Sequence, residues 1–316
     1  RLRMAEEILH HRTPKFAEIL TEVRQGLKWI FQTQEEVVML AATGTAGMEA
    51  SVSNFLSLND KALYINGGKF GQRFGKILKA YGCEAQELAV PWGEAVKPEV
   101  VAQALDTDRS IKAVYVQASE TSTGVVHPIA ELGAICRARA DVILVVDAIT
   151  AVGVFDIAQD RDGIDVLITG SQKALMLPPG LAFVGVSQKA WAFQAQANLP
   201  RFYLDLKAER AASQKNESAY TSAVSLVVGL QESLKLMQAE GLLNIFSRHA
   251  RLAHATRAGL EALGCKVYPK APANGLTTVF APREGDAGAI VKRLRDRHNL
   301  TIAGGQDQLK GKIFRI

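Results

Sequence analysis

The stretch Asp165-Val166-Leu167-Ile168-Thr169-Gly170-Ser171-Gln172-Lys173-Ala174 opens as an apolar run and ends on a lysine, with Pro178-Pro179-Gly180 close behind. A second run, Val142-Ile143-Leu144-Val145-Val146, ends at Asp147 in the same manner. Strands that are apolar on consecutive residues are covered on both faces, as in parallel sheets flanked by helices. Working outward, further strand-like runs fall near 37–41, 61–66, 86–90, 111–118 and 181–187. Helical patterns near 46–56, 70–82, 97–105, 128–140 and 189–197 separate most of them. Upstream, Thr13-Pro14 opens a helix, with Phe16, Ile19, Leu20, Val23, Leu27, Ile30 and Phe31 at helical spacing. This alternation predicts an α/β domain with a mostly parallel seven-stranded sheet.

Two long helical patterns come next, near 222–240 and 242–263, broken at Gly241. Beyond them, strands near 266–269, 276–281, 300–303 and 312–316 with a helix near 286–298 read as a smaller α+β domain. The expected division is a large domain over 1–241 and a small one over 242–316. The chain starts at Arg1 without methionine and stops at Ile316 inside a strand pattern, so it reads as part of a longer protein with a truncated small domain.

Of the 316 residues, 48% are apolar, enough for a large packed core, and the net charge is only +5. The basic residues are scattered, which argues against nucleic acid as a partner. No apolar stretch approaches the ~20 residues of a membrane span. Cys83, Cys136 and Cys265 show neither metal spacing nor a disulfide framework, so no metal is expected and a reducing, cytoplasmic setting is.

In an open parallel sheet, ligands bind outside the carboxyl ends of the strands. Four segments fall there. Ala42-Thr43-Gly44-Thr45-Ala46-Gly47 joins a strand to a helix, where free N–H groups and the helix dipole suit a phosphate; it serves equally as a plain tight turn. Glu120-Thr121-Ser122-Thr123-Gly124 offers hydroxyls to a ring substituent, or simply caps a turn. Asp147 is either a ring-nitrogen partner or the N-cap of the segment Ala148-Ile149-Thr150-Ala151. Lys173 is either a nucleophilic amine, activated by an apolar and cation-rich pocket, or a surface lysine in a turn. Charges at the ends of buried strands need partners. An aldehyde cofactor with a basic ring nitrogen supplies both of these with one, and pyridoxal 5′-phosphate is that cofactor.

The combination resembles a known family. Gly-Ser-Gln-Lys-Ala with Pro-Pro-Gly after it, and Val-Val-Asp ending 26 positions before the lysine, is similar to the class V branch of fold-type-I pyridoxal-phosphate enzymes. The nearest resemblance is to alanine–glyoxylate and serine–pyruvate (serine–glyoxylate) aminotransferases. Further markers are His11-Arg12-Thr13-Pro14, Asn66-Gly67 with Phe70-Gly71-Gln72-Arg73, Gly163-Ile164-Asp165, Tyr203-Leu204-Asp205, Ala303-Gly304-Gly305 and Arg315-Ile316. By this resemblance Lys173 is the Schiff-base lysine and Asp147 the pyridinium partner. Gly44, Thr45 and Gln172 hold the phosphate, Phe70 stacks on the ring, and Ser122 is the hydroxyl near it. Thr221 reaches the cofactor phosphate of a neighbouring subunit, which implies a homodimer with active sites at its interface. Arg315 grips the substrate carboxylate, a task suited to its two-pronged guanidinium; alone, it reads as a surface charge on an edge strand.

The resemblance implies a transaminase that moves the amino group of a small amino acid, alanine or serine, to a 2-oxo acid such as glyoxylate or pyruvate. The alternatives are a lyase of the same fold, similar to a cysteine desulfurase, or a non-catalytic subunit that keeps the fold. A desulfurase needs a mobile cysteine near the substrate, and the three cysteines fall in helical patterns or at a strand start far from the motifs. A non-catalytic relative would be free to lose Lys173 or Asp147.

Overall fold

The computed structural model describes residues 2–282 and 285–316. Thr13 Oγ1 accepts the N–H of Phe16 and caps α1 (Pro14–Phe31), with Pro14 in its first turn. The chain then alternates through β1 (Val37–Leu40), α2 (Gly44–Ser53), β2 (Lys61–Asn66), α3 (Lys69–Ala80), β3 (Glu84–Ala89), α4 (Pro98–Thr107) and β4 (Ile111–Gln117). A short hairpin, β5 (Ser119–Glu120) and β6 (Val125–Val126), precedes α5 (Ile129–Arg137), β7 (Ile143–Asp147), β8 (Val166–Gly170), β9 (Ala182–Val186) and α6 (Gln188–Gln196). Helices α7 (Leu206–Ser213), α8 (Val224–Glu240) and α9 (Leu242–Ala262) come after it. The chain ends in β10 (Lys266–Val267), β11 (Thr278–Phe280), α10 (Ala287–His298), β12 (Ala303–Gly304) and β13 (Ile313–Arg315).

Seven strands form one sheet in the order β1-β9-β8-β7-β4-β2-β3. Only β9 runs against its neighbours; the other pairings are parallel. The expected α/β architecture of fold type I is thus present. Successive residues of one strand feed opposite layers: Leu144 and Val146 join the core under α1 and α8, whereas Ile143 and Val145 join the core on the other face. That is why these runs are apolar without alternation. Truncating Leu144 to alanine would cost roughly 2–5 kcal/mol, since it is fully buried.

The strand order reverses between β4 and β2, from which the chain winds outward in both directions. The carboxyl ends of β2, β4, β7 and β8 all open on that side, at the crevice where such sheets bind ligands. The four-stranded sheet β10-β11-β13-β12 has its own small core of Cys265, Val279, Ala281, Ala287 and Phe314.

Some elements differ from expectation. Helix α7 has no counterpart in the sequence pattern: its eight residues bury little beyond Leu206, and Asp205, accepting from the N–H groups of Lys207 and Ala208, starts it. The β5–β6 hairpin is too short for periodicity to reveal. The strand expected near 300–303 shrinks to Ala303–Gly304, because α10 runs to His298 and Asn299 closes it in the left-handed region at φ 50°.

Candidate active site

A cavity of about 160 Å³ lies at the crevice. Gly44, Thr45, Phe70, Asp147, Gln172 and Lys173, six of the residues singled out in the sequence, share its wall. Each stands at a strand end or one turn into the following helix, so the sheet's twist and register bring them together.

The Thr43–Thr45 turn starts α2. Thr43 makes no side-chain cap bond, and the N–H groups of Gly44 and Thr45 have no acceptor among the described residues. They are available to an anion at the positive end of the helix. A Cβ on Gly44 would fall 2.4 Å from Ile149 Cδ1, so glycine keeps this cradle open. Gln172 Oε1 is buried with no hydrogen-bond partner among the described residues.

Asp147 is 5% exposed and ends β7. Its Oδ1 accepts the Ile149 N–H at 3.0 Å, so the capping role is real. Its Oδ2 has no partner among the described residues. Burial pushes this carboxyl up to about 7, against the Ile149 N–H and the charges of Arg73 and Lys173, while Glu120 adds to the rise. A protonated ring nitrogen is the partner such a group lacks.

Lys173 comes after β8 in a loop pinned by Ser171: its Oγ donates to Pro178 O at 2.7 Å and accepts from Leu181 N at 3.2 Å. Met176 in the same loop takes the left-handed conformation at φ 60°. The expectation of an apolar enclosure for Lys173 is not met. The loop carries the side chain out past the buried strand, where it is exposed and has no hydrogen-bond or ion-pair partner among the described residues. Lys173 and Thr150 also border a second cavity of about 410 Å³, walled by Val154, Met176, Leu236, Met237 and Ile245.

Three expected positions lie off the wall. Ser122 is fully buried and turned away: its Oγ donates to Glu120 Oε1 at 2.6 Å and accepts from Lys69 N at 2.9 Å. Its neighbour Thr121 lines the cavity instead, its hydroxyl 3.2 Å from that of Thr150. Thr121, and not the expected Ser122, is therefore the hydroxyl of this cluster that lines the cavity. Arg315 stands behind Thr121, donating to Thr121 O at 2.8 Å and to Gly304 O at 3.1 and 2.9 Å. Burial lowers its pKa, with Glu120 opposing. These bonds leave one N–H on each terminal nitrogen without a partner among the described residues. Thr221 is exposed and borders a separate small cavity with Tyr203 and Tyr220.

Arg73, also on the wall, belongs to a family marker in the sequence that gives it no role. Arg73 donates from Nη1 to Thr45 Oγ1 at 3.0 Å, and its guanidinium lies 4.7 Å from the Phe70 ring centroid. It brings a cation to the anion end of the cavity. The signals for it are that marker and its place one helical turn after Phe70.

Free N–H groups at a helix start, an unpartnered buried carboxylate oxygen, an aromatic ring and an unpaired lysine on one wall fit pyridoxal phosphate. Together with the sheet, they define a fold-type-I pyridoxal-phosphate-dependent enzyme. The sequence pattern of the family described as Aminotransferase class-V matches residues 4–310, and the chain belongs to that family. It is 42% identical to a protein of Synechococcus sp. described as the small subunit of a soluble hydrogenase, across 100% of this chain and 83% of that one. It is 35% identical to an L-aspartate–glyoxylate aminotransferase of Paracoccus denitrificans, covering 98% of this chain and 80% of the relative. Among solved structures, an alanine–glyoxylate aminotransferase of Nostoc sp. superposes with a TM-score of 0.95 at 29% identity, covering 99% and 84% of the two chains. The protein is a pyridoxal-phosphate-dependent aminotransferase. No helix among the described residues is long and apolar enough to cross a membrane.

Proposed function

We propose that this aminotransferase takes the amino group of a small amino acid, alanine or serine in the first place, and delivers it to glyoxylate or pyruvate. The observation that carries this reading is the single wall shared by Gly44, Thr45, Phe70, Asp147, Gln172 and Lys173, with Arg315 one residue behind it. Glyoxylate is supported as acceptor because it appears in the descriptions of both the Paracoccus and the Nostoc proteins, while their donors differ.

The residues lining the cavity support these roles. The Gly44 and Thr45 N–H groups and Gln172 would hold the phosphate, with Arg73 adding charge. Phe70 would offer its ring to the cofactor and limit water there. Asp147, ionised, would keep the ring nitrogen protonated. When bound, pyridoxal phosphate supplies an aldehyde to receive the amino group and a ring that draws electrons from the substrate α-carbon. Lys173 Nζ anchors the cofactor at rest and carries the proton to and from the α-carbon during turnover. The two free N–H groups of Arg315 receive the α-carboxylate of donor and acceptor alike. Both substrates then use one site in turn, so the kinetics are ping-pong.

We place this activity in a cytoplasmic homodimer, with a large domain over 1–241 and a small domain over 242–316. The support is the resemblance of Thr221 to a residue that acts across a subunit interface, and the three unpaired, buried cysteines, which suit a reducing compartment. A half-reaction screen tests the substrate reading. Holoenzyme is mixed with one amino acid at a time and the visible absorbance of the bound cofactor is timed. Alanine or serine is expected to discharge it fastest. A response to cysteine alone, with release of sulfide, would transfer the protein to the lyase reading.

A further inference from the structure

Glu120 is a charged residue that the roles above leave unused. It is fully buried, and its carboxylate is held by four hydrogen bonds. Oε2 accepts the N–H groups of Phe70 at 3.0 Å and Gly71 at 2.9 Å. Oε1 accepts Ser122 N at 3.1 Å and Ser122 Oγ at 2.6 Å. Ser122 Oγ in turn accepts Lys69 N at 2.9 Å. The first three N–H groups of α3 are thus satisfied from the β5–β6 hairpin, 50 positions further along the chain. A helix start is where a carboxylate is most favourable. Gly68, which precedes the helix, has no side chain to cap it, and a Cβ there would lie 2.5 Å from Glu120 Cδ and 2.4 Å from Ser122 Oγ. Glycine at 68 is what admits the carboxylate.

The two ends of this linkage each carry residues that line the cavity. Phe70 sits on the α3 side, and Ser119 and Thr121, the immediate chain neighbours of Glu120, sit on the hairpin side. Thr121 O also receives Arg315. We propose that Glu120 is a positioning residue that locks Phe70 to Thr121 and so sets the shape of the cavity that would receive the cofactor ring. Burial raises the Glu120 pKa, with Ser122 Oγ and the N–H groups of Gly71, Ser122 and Phe70 opposing the rise. The four donors need acceptors, and the two oxygens of the carboxylate supply them. An amide in its place has only one oxygen, and two of the four donors would then face an NH₂ group.

The inference rests on the proposed seat of the cofactor ring in the cavity lined by Phe70 and Thr121, and the experiment separates the two. Apo-protein is titrated with pyridoxal phosphate, the dissociation constant is measured by equilibrium dialysis, and the visible circular dichroism of the bound cofactor reports ring orientation. Separately, inorganic phosphate is used to raise the melting temperature, which reads the Gly44–Thr45 cradle alone. For Glu120→Gln the dissociation constant is expected to rise about tenfold, by loss of two charge-assisted hydrogen bonds. The dichroism should fall by about half or more on the same loss of register, and the phosphate protection should stay as in the parent. A lower melting temperature with unchanged affinity and dichroism overturns the proposal, because Glu120 would then serve folding only. If Glu120→Gln does not fold, Ser122→Ala decides the matter. It removes one donor to the carboxylate and the acceptor of Lys69 N–H, and should weaken the cofactor about threefold with a reduced dichroism; parent values in both overturn the proposal. Failure of the parent apo-protein to develop any visible dichroism would instead refute the placement of the cofactor.

Discussion

Replacing Asp147 by asparagine separates the cost of a buried carboxylate from its use. In the apo-protein burial moves this carboxyl from the ordinary 3.8 up to about 7. About three powers of ten in proton affinity correspond to about 4 kcal/mol. The direction of the shift fixes the sign. Below about pH 4 the group is protonated whether the chain is folded or not, and it costs nothing. As pH rises toward 7 the unfolded chain releases the proton while the folded one must hold it, so stability falls, and above 7 the whole penalty is present. In Asp147→Asn the amide keeps an oxygen for the Ile149 N–H and carries no charge, so the variant apo-protein escapes the penalty. With ~2.1 cal/mol/K of unfolding entropy per residue, a chain of this length gains about 6 °C in melting temperature at pH 8 and little at pH 4. The charges facing Asp147 from other elements, Glu120, Arg73 and Lys173, remain in both proteins. The assay is thermal unfolding of the two apo-proteins between pH 4 and 8, with the cofactor removed. The curves should converge at the acid end and separate toward neutrality, with the variant on top. With cofactor bound the order should reverse and turnover fall by about a hundredfold or more, because the ring nitrogen loses a buried ionic partner. Parallel apo curves would refute the reasoning, since they would mean that Asp147 bears no buried charge.

Three other substitutions probe the remaining corners of the site. Lys173→Ala should cut turnover by at least about a thousandfold and remove the visible absorbance of the lysine-linked cofactor; transamination that survives would sink the assignment. Gly44→Ala places a Cβ 2.4 Å from Ile149 Cδ1, so affinity for pyridoxal phosphate should drop about tenfold through overpacking. Ile149→Val in the same chain should recover most of that loss, and equilibrium dialysis shows whether it does. Arg315→Lys forfeits the two-pronged grip and the bonds to Gly304 O and Thr121 O. Steady-state kinetics should show KM for donor and acceptor rising together by about tenfold or more, with kcat changed less; a change in one substrate only would place the carboxylate elsewhere.

The parts of this molecule that can be read from its sequence are those whose local pattern is imposed by a non-local fact. Strands β7 and β8 announce themselves because both faces of the sheet are covered, so Ile143 through Val146 must all be apolar whichever core they enter. Asp147 and Lys173 stand out because they interrupt such runs at the end where the sheet opens. The break at Gly241 between α8 and α9 is legible because its φ of 82° suits glycine and no side chain. Helix α7 has no comparable mark: one buried leucine and a row of charged and small residues describe a solvated loop equally well. Arg73 is hidden for a different reason. It is one of 37 basic residues, and although it closes the Phe70-Gly71-Gln72-Arg73 marker, a marker gives no contact, so its bond to Thr45 on α2 cannot be read from it.

The bonds made by Glu120 explain why Thr121, and not Ser122, meets the cavity. The hydroxyls of this cluster read as one group in the sequence, yet residues 121–124 form the turn of the hairpin, and the turn sends Thr121 and Ser122 to different sides. Ser119 and Thr121 face the cavity, while Glu120 and Ser122 face the start of α3. The deciding residue is the glutamate. A buried carboxylate must find donors, and the nearest unspent ones are the N–H groups of a helix preceded by Gly67-Gly68, which cannot cap itself. Once Glu120 turns toward them, Ser122 is held with it through its N–H and Oγ, and Thr121 is left on the other side, beside Thr150 and above the carbonyl that holds Arg315. The rule is transferable: in a cluster of hydroxyls around one acid, the acid's need for donors settles which hydroxyls are structural and which are free to meet a ligand.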